Sequence, residues 1–148
     1  MSANLNATTT PYSPAYNPAY NQSVLLAGRV LMSLLFIYFG YLKLMNFGGS
    51  VGYFTKWGFP MPEVTSVIAI VFELGFGILL AIGWKTRWWA WALVLYVVIA
   101  TAVAHRFWTY EAAQVFAQTS NFFKNVSIIG GLLYIAAMGP GRYSVDKS

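Results

Sequence analysis

Four long apolar stretches alternate with shorter polar or aromatic segments along the chain. They cover about residues 23–45, 64–82, 88–104 and 121–138. A helix that spans a bilayer needs about 20 apolar residues, range 17–25, so each stretch predicts a transmembrane helix, the last two at the short end. The link at 83–87, Gly-Trp-Lys-Thr-Arg, is so short that the second and third spans must be antiparallel neighbours. The other connections, near 46–63 and 105–120, are longer and aromatic. They hold Tyr53, Phe54, Trp57, Phe59, Phe107, Trp108, Tyr110 and Phe116, which suit a membrane-interface belt. The predicted fold is all-α, a four-transmembrane-helix bundle with both termini on the same side.

Ahead of the first span, residues 1–22 carry no charge and contain a short repeat, Ser13-Pro14-Ala15-Tyr16 followed by Asn17-Pro18-Ala19-Tyr20. Prolines at this spacing forbid a helix and favour extended, polyproline-like backbone. The segment therefore reads as an N-terminal tail attached to a membrane domain over 23–148. Two readings of the tail stand side by side: a flexible extension, or a strap that lays Tyr12, Tyr16 and Tyr20 on a partner subunit. No basic n-region or cleavage site marks a removable signal peptide.

Composition sharpens the class. Hydrophobic residues make up 58% and charged residues 9% of the 148. A soluble domain carries about 25% charge, so this surface belongs in lipid. The net charge of +5 comes from bases scattered singly along the chain, with no basic patch of the kind that binds nucleic acid. With both termini inside, Lys85, Arg87, Arg142 and Lys147 are cytoplasmic, against Lys56 and Arg106 outside, which gives a modest positive-inside preference for cytoplasmic termini. The chain has no cysteine, which removes disulfides, thiol catalysis and iron–sulfur ligation. Its single histidine excludes bis-histidine haem, and no metal site is expected.

Ionisable residues within the spans carry the chemical interest, because a charge near the bilayer centre costs at least about 2.5–3.5 kcal/mol. Arg29, Lys43, Glu73, Lys124 and, at a span end, His105 should face the bundle interior with Asn125 beside them. Arg29, Phe36, Gly40 and Lys43 share one face of the first span, and Asn121, Lys124, Asn125 and Ile128 share one face of the fourth. Glu73 is the only acid deep in a span, so it is the expected counter-charge of Arg29 or Lys43. Lys43, His105 and Lys124 are expected toward the outer side. The plain alternative is a structural ion pair that fixes helix register. His105 is either an ordinary interfacial histidine or a proton donor or quinone contact. Trp88, Trp89 and Trp91 read as interface anchors and lipid-facing bulk. Gly75, Gly77, Gly130 and Gly131 read as points of close helix approach.

The order of these motifs resembles the DoxX family. The likeness runs through Gly28-Arg29-Val30, Phe36-Ile37-Tyr38-Phe39-Gly40-Tyr41-Leu42-Lys43-Leu44, Gly58-Phe59-Pro60-Met61-Pro62 and Phe72-Glu73-Leu74-Gly75-Phe76-Gly77. It continues through the 83–87 turn, His105-Arg106-Phe107-Trp108, Phe123-Lys124-Asn125, and a closing Gly139-Pro140-Gly141-Arg142-Tyr143-Ser144-Val145-Asp146. The second glycine usual after the acid of the second helix is displaced by Phe76.

The resemblance implies a multi-pass protein of the bacterial or archaeal inner membrane. Relatives include a DoxD-type subunit of an archaeal thiosulfate:quinone oxidoreductase and anchors for enzymes of oxidative or thiol stress. By that likeness the expected role is an accessory or anchoring subunit of a membrane oxidoreductase complex that helps shape a quinone site. Its partners would be lipids and other protein subunits, with Trp57 and Trp108 as further docking residues and no covalently bound cofactor. The alternatives are a non-catalytic scaffold of a larger membrane assembly and, third, a small transporter or proton pathway. No inverted repeat or proline-broken span supports the last.

Overall fold

The computed structural model describes residues 18–146, which fold into five helices. These are α1 (Pro18–Met45), α2 (Phe47–Lys56), α3 (Pro62–Ile82), α4 (Thr86–Ala104) and α5 (Ala112–Met138), with a single 3₁₀ turn at Phe107–Thr109. Helices α1, α3, α4 and α5 are each long and apolar enough to cross a membrane, so the four-span reading holds.

The boundaries differ from the expected ones for local reasons. Helix α1 starts at Pro18, inside the stretch whose prolines predict a non-helical tail. A proline at the first helical position lacks only an N–H that would have no partner there, so it opens a helix instead of breaking one. Tyr12 and Tyr16 lie outside the described residues, as does the side chain of Tyr20. Helix α5 starts at Ala112 instead of near residue 121. Its first turns, Ala-Ala-Gln-Val-Phe-Ala-Gln, break the apolar run with two glutamines, and alanine and glutamine are good helix formers. The connection at 46–63 likewise holds a helix of its own. Asn46 bends the chain at φ −123°, and its side chain caps the N–H of Gly49 at 3.1 Å.

The helices pack in two pairs, α1 on α3 and α4 on α5, with a shared core of Phe36, Leu80, Leu93, Val97, Leu132 and Ala136. Gly40 makes the first pair possible, since a Cβ there would collide with the backbone of Leu74 on α3. Gly77 meets Phe36 and Gly131 meets Met32 as the small-residue reading predicts, whereas Gly130 faces open space. Large apolar side chains cover the outside, including Leu31, Ile68, Leu95, Trp88 and Trp91, as a lipid-facing surface requires. Trp89 departs from the expected pattern and packs inward on Phe76, ring centroids 4.5 Å apart.

One end of the bundle is tied by the C-terminal segment. After Gly139 the chain turns back across the α3–α4 turn, where Val145 N donates to Ile82 O and Asp146 N to Gly83 O, each at 3.1 Å. The Lys85 N–H donates to the Asp146 carboxylate, and Arg142 N donates to the Gln22 side chain of α1 at 2.7 Å. The described ends of the chain therefore meet at the same end of the bundle.

Candidate functional site

The six polar residues singled out in the sequence fall into two places. Arg29 stands apart. It is 2% exposed, and its guanidinium donates to Pro140 O and, at 2.5 Å, to Tyr143 O. It thus answers its burial with backbone carbonyls of the C-terminal segment and not with Glu73. Gly83, at φ +76°, leaves the space this guanidinium occupies, because a Cβ there would run into Arg29 and Ser144. Arg29 is a structural tie.

Lys43, Glu73, His105, Lys124 and Asn125 all line one cavity of about 580 Å³. It lies between α1 and α5, with Phe36 and Val97 of the core on its wall and Ser50 and Phe54 of α2 at its α2 end. Its volume is in the usual range for small-molecule sites, about 300–1,000 Å³. Leu35, Phe39, Leu42 and Ile128 make the rest of its surface largely apolar.

Glu73 is the centre of the polar wall. It is buried, and Lys43 Nζ pairs with its Oε2 at 2.6 Å while the Tyr96 hydroxyl donates to its Oε1 at 2.5 Å. Helical spacing leaves two partners open for Glu73, and the structure selects Lys43. Sequence reasoning misses Tyr96. A tyrosine in an apolar run looks like packing, and only its height on α4 opposite Glu73 gives it a role. Phe72 stacks on Tyr96 with centroids 5.5 Å apart and fixes the ring. Around Glu73, from Val71 to Phe76, the helical hydrogen bonding widens into a π turn. Such turns occur often at functional sites.

The facing wall is less fully occupied. Asn125 donates from Nδ2 to Thr101 Oγ1 at 2.8 Å, and His105 Nδ1 lies 2.8 Å from Gln118 Oε1. Lys124 lines the cavity half-way along α5 with no ion pair or hydrogen bond among the described residues. Its neighbour Asn125 bonds to Thr101, one turn before the end of α4 at Ala104, so Lys124 lies toward the His105 end of the bundle. Lys43 stands in the last turn of α1 and reaches Glu73 on the middle of α3, and His105 lies at the end of α4.

Aromatic rings close the α2 end of the site. Tyr53 contacts Trp57 at 6.1 Å, Trp57 contacts Tyr110 at 6.0 Å, and Phe54 contacts Phe59 at 5.2 Å between centroids. Trp57 is thereby engaged within the chain, whereas Trp108 is 61% exposed. Burial pushes the Tyr53 phenol above its ordinary pKa, and the negative charge of Glu73 acts in the same direction, so the group remains a neutral donor at the cavity.

The DoxX family model matches residues 24–106, more than half the chain. The chain belongs to the DoxX family. Inner membrane protein YphA of Escherichia coli is 38% identical over 124 residues, covering 84% of this chain and 89% of that protein. Inner membrane protein YqjF of the same organism is 31% identical over 125 residues, 82% of this chain and 88% of that one. A Surfeit locus protein 4 homolog of Schizosaccharomyces pombe is 33% identical over 124 residues, 82% of this chain but only 36% of that longer protein. No solved structure matches. Four apolar spans and bacterial relatives named for the inner membrane agree with the expected multi-pass, inner-membrane location of this DoxX-family protein. The family match covers α3 and α4 and ends at Arg106, so Glu73, Tyr96 and His105 lie within it and Lys124 and Asn125 beyond it.

Proposed function

We propose that this DoxX-family protein is an accessory membrane subunit that shelters an amphiphile between its helices on behalf of a membrane oxidoreductase complex. The observation that supports this reading best is the cavity itself, about 580 Å³ with apolar walls and a Lys43–Glu73–Tyr96 cluster on one side. A quinone, the redox amphiphile that the family resemblance implies, fits such a space. Its ring would lie among Phe36, Phe39 and Val97, its carbonyls would accept from Lys43 or Lys124, and Glu73 would handle the proton. The basic residues near the tied end, Lys85, Arg87 and Arg142, favour a cytoplasmic position for that end.

Mild-detergent purification from native membranes, with mass spectrometry of copurifying proteins and lipids, tests the proposal. A redox subunit is expected to accompany the chain, and Glu73→Gln with His105→Ala should abolish the quinone reductase activity of the complex. Full activity in that double variant would sink the catalytic part of the reading. A scaffold role is the second reading, favoured by the open aromatic surface of Trp108 and Phe116, which are 61% and 84% exposed.

A further inference from the structure

Resting on the amphiphile reading above and deepening it, we infer that the cavity takes an amphiphile whose head carries one negative charge, a carboxylate on a single apolar chain. The cavity wall carries two lysines and one carboxylate. Lys43 and Glu73 cancel each other at 2.6 Å, and both Glu73 oxygens are already taken, by Lys43 and by Tyr96. Lys124 is left over. It is exposed and lies toward the His105 end of the cavity, and no acid of the described residues pairs with it. A cation on an apolar cavity wall is favoured by an anion beside it.

Hydrogen-bond capacity is unbalanced in the same sense. Asn121 and Lys124 line the cavity without a hydrogen bond among the described residues, and the buried Ser50 Oγ has no partner either. Lys124 and the Asn121 amide thus offer free donors on the wall opposite Glu73, and Ser50 offers one at the α2 end, while the Glu73 carboxylate is already engaged. A carboxylate is acceptor-only and brings the one negative charge that is missing. A quinone carbonyl can accept from Lys124 without cancelling its charge, whereas a carboxylate does both. The apolar chain has a path as well, because Phe39 and Leu42 line the cavity and are 47% and 42% exposed, which carries the apolar wall to the outside of the bundle.

The experiment is equilibrium binding of radiolabelled hexadecanoate to the full-length chain in non-ionic detergent. Unlabelled hexadecanoate, hexadecanol, hexadecylamine, a ubiquinone analogue and dioleoyl phosphatidylglycerol serve as competitors. Saturable one-to-one binding is expected, with the alcohol and quinone weaker by about tenfold or more, the amine inactive, and the two-chain lipid a poor competitor. Lys124→Gln should weaken hexadecanoate by about tenfold and erase its advantage over the alcohol, and Lys124→Arg should restore both. Arg at this position also shows that loss in the Gln variant is not loss of folding. Equal binding of alcohol and acid, or an acid preference that survives Lys124→Gln, overturns the charge assignment while leaving the amphiphile site standing. Stronger competition by phosphatidylglycerol overturns the single-chain assignment. Absence of saturable binding by any of the five compounds removes the amphiphile reading together with this inference.

Discussion

The hydroxyl of Tyr96 donates to Oε1 of Glu73 at 2.5 Å, on the oxygen that Lys43 leaves free. Three helices, α1, α3 and α4, thus converge on one carboxylate in an apolar setting. Removing one member of such a pair strands the other charge, which costs about 3–5 kcal/mol for a buried pair. Glu73→Gln should therefore lower stability by an amount near that range, and Lys43→Met added to it should recover most of the loss. Thermal unfolding of the single and double variants in detergent checks this. Additive losses would mean that the two residues do not act as a pair.

Tyr96→Phe isolates the third contact, because the ring and its stacking on Phe72 remain while the hydroxyl goes. A hydrogen bond to a charged group contributes about 1.5–3 kcal/mol. A loss in that range is expected against wild type, and almost none in a Glu73→Gln, Lys43→Met background. Equal losses in the two backgrounds would assign the cost to packing.

Arg29 ties α1 to the C-terminal segment through Pro140 O and Tyr143 O. Arg29→Met leaves both carbonyls short of a donor, at about 1.5–3 kcal/mol for each bond to a charged group. Amide exchange should then quicken first at Val145 and Asp146, which bond to Ile82 and Gly83 beneath the same segment. Unchanged exchange at those two amides would show that the segment holds without Arg29.

Much of this is legible in the sequence because lipid imposes a simple rule: every span needs a long apolar run and its charges must turn inward. Lys43, Glu73, His105, Lys124 and Asn125 group together on that ground alone. The mistakes have physical sources too. Helix starts in polar sequence, at Pro18 and Ala112, lack the apolar signal that marks a span. The partner of Arg29 is backbone, and a carbonyl has no letter in a sequence. Tyr96 resembles its apolar neighbours until α3 and α4 are set side by side, and the π turn at Val71–Phe76 has no residue signature that pattern reading detects.

Gly40 tests the packing that brings Lys43 to Glu73. A side chain at this position would strike the Leu74 backbone, and backbone yields less readily than a flexible side chain. Gly40→Val should cost at least about 1–3 kcal/mol, the usual range for overpacking. It should also part Lys43 from Glu73, so that Glu73→Gln costs much less when combined with Gly40→Val than it does alone. Gly28→Val, at a site with no neighbour within 4 Å, is the matched control and should be mild.

The N-terminal tail separates a scaffold from a self-contained subunit. Helix α1 begins at Pro18, and Gln22 reaches the N–H of Arg142 at 2.7 Å, so residues 1–22 comprise two parts with different consequences. Deleting residues 2–17 removes Tyr12 and Tyr16 and leaves the contact of Gln22 with Arg142 in place. Deleting 2–22 also removes the Gln22 contact and the first turn of α1, and should lower stability relative to the shorter deletion by at least the about 0.5–1.5 kcal/mol of a single hydrogen bond, read as a lower thermal midpoint. If the shorter deletion nevertheless detaches copurifying subunits, the tyrosines of the tail hold a partner and the scaffold reading gains. If partners remain bound, docking must lie elsewhere on the chain, and the exposed ring of Trp108, beside Phe107 and Phe122 at 5.1 and 6.1 Å, is the next residue to change.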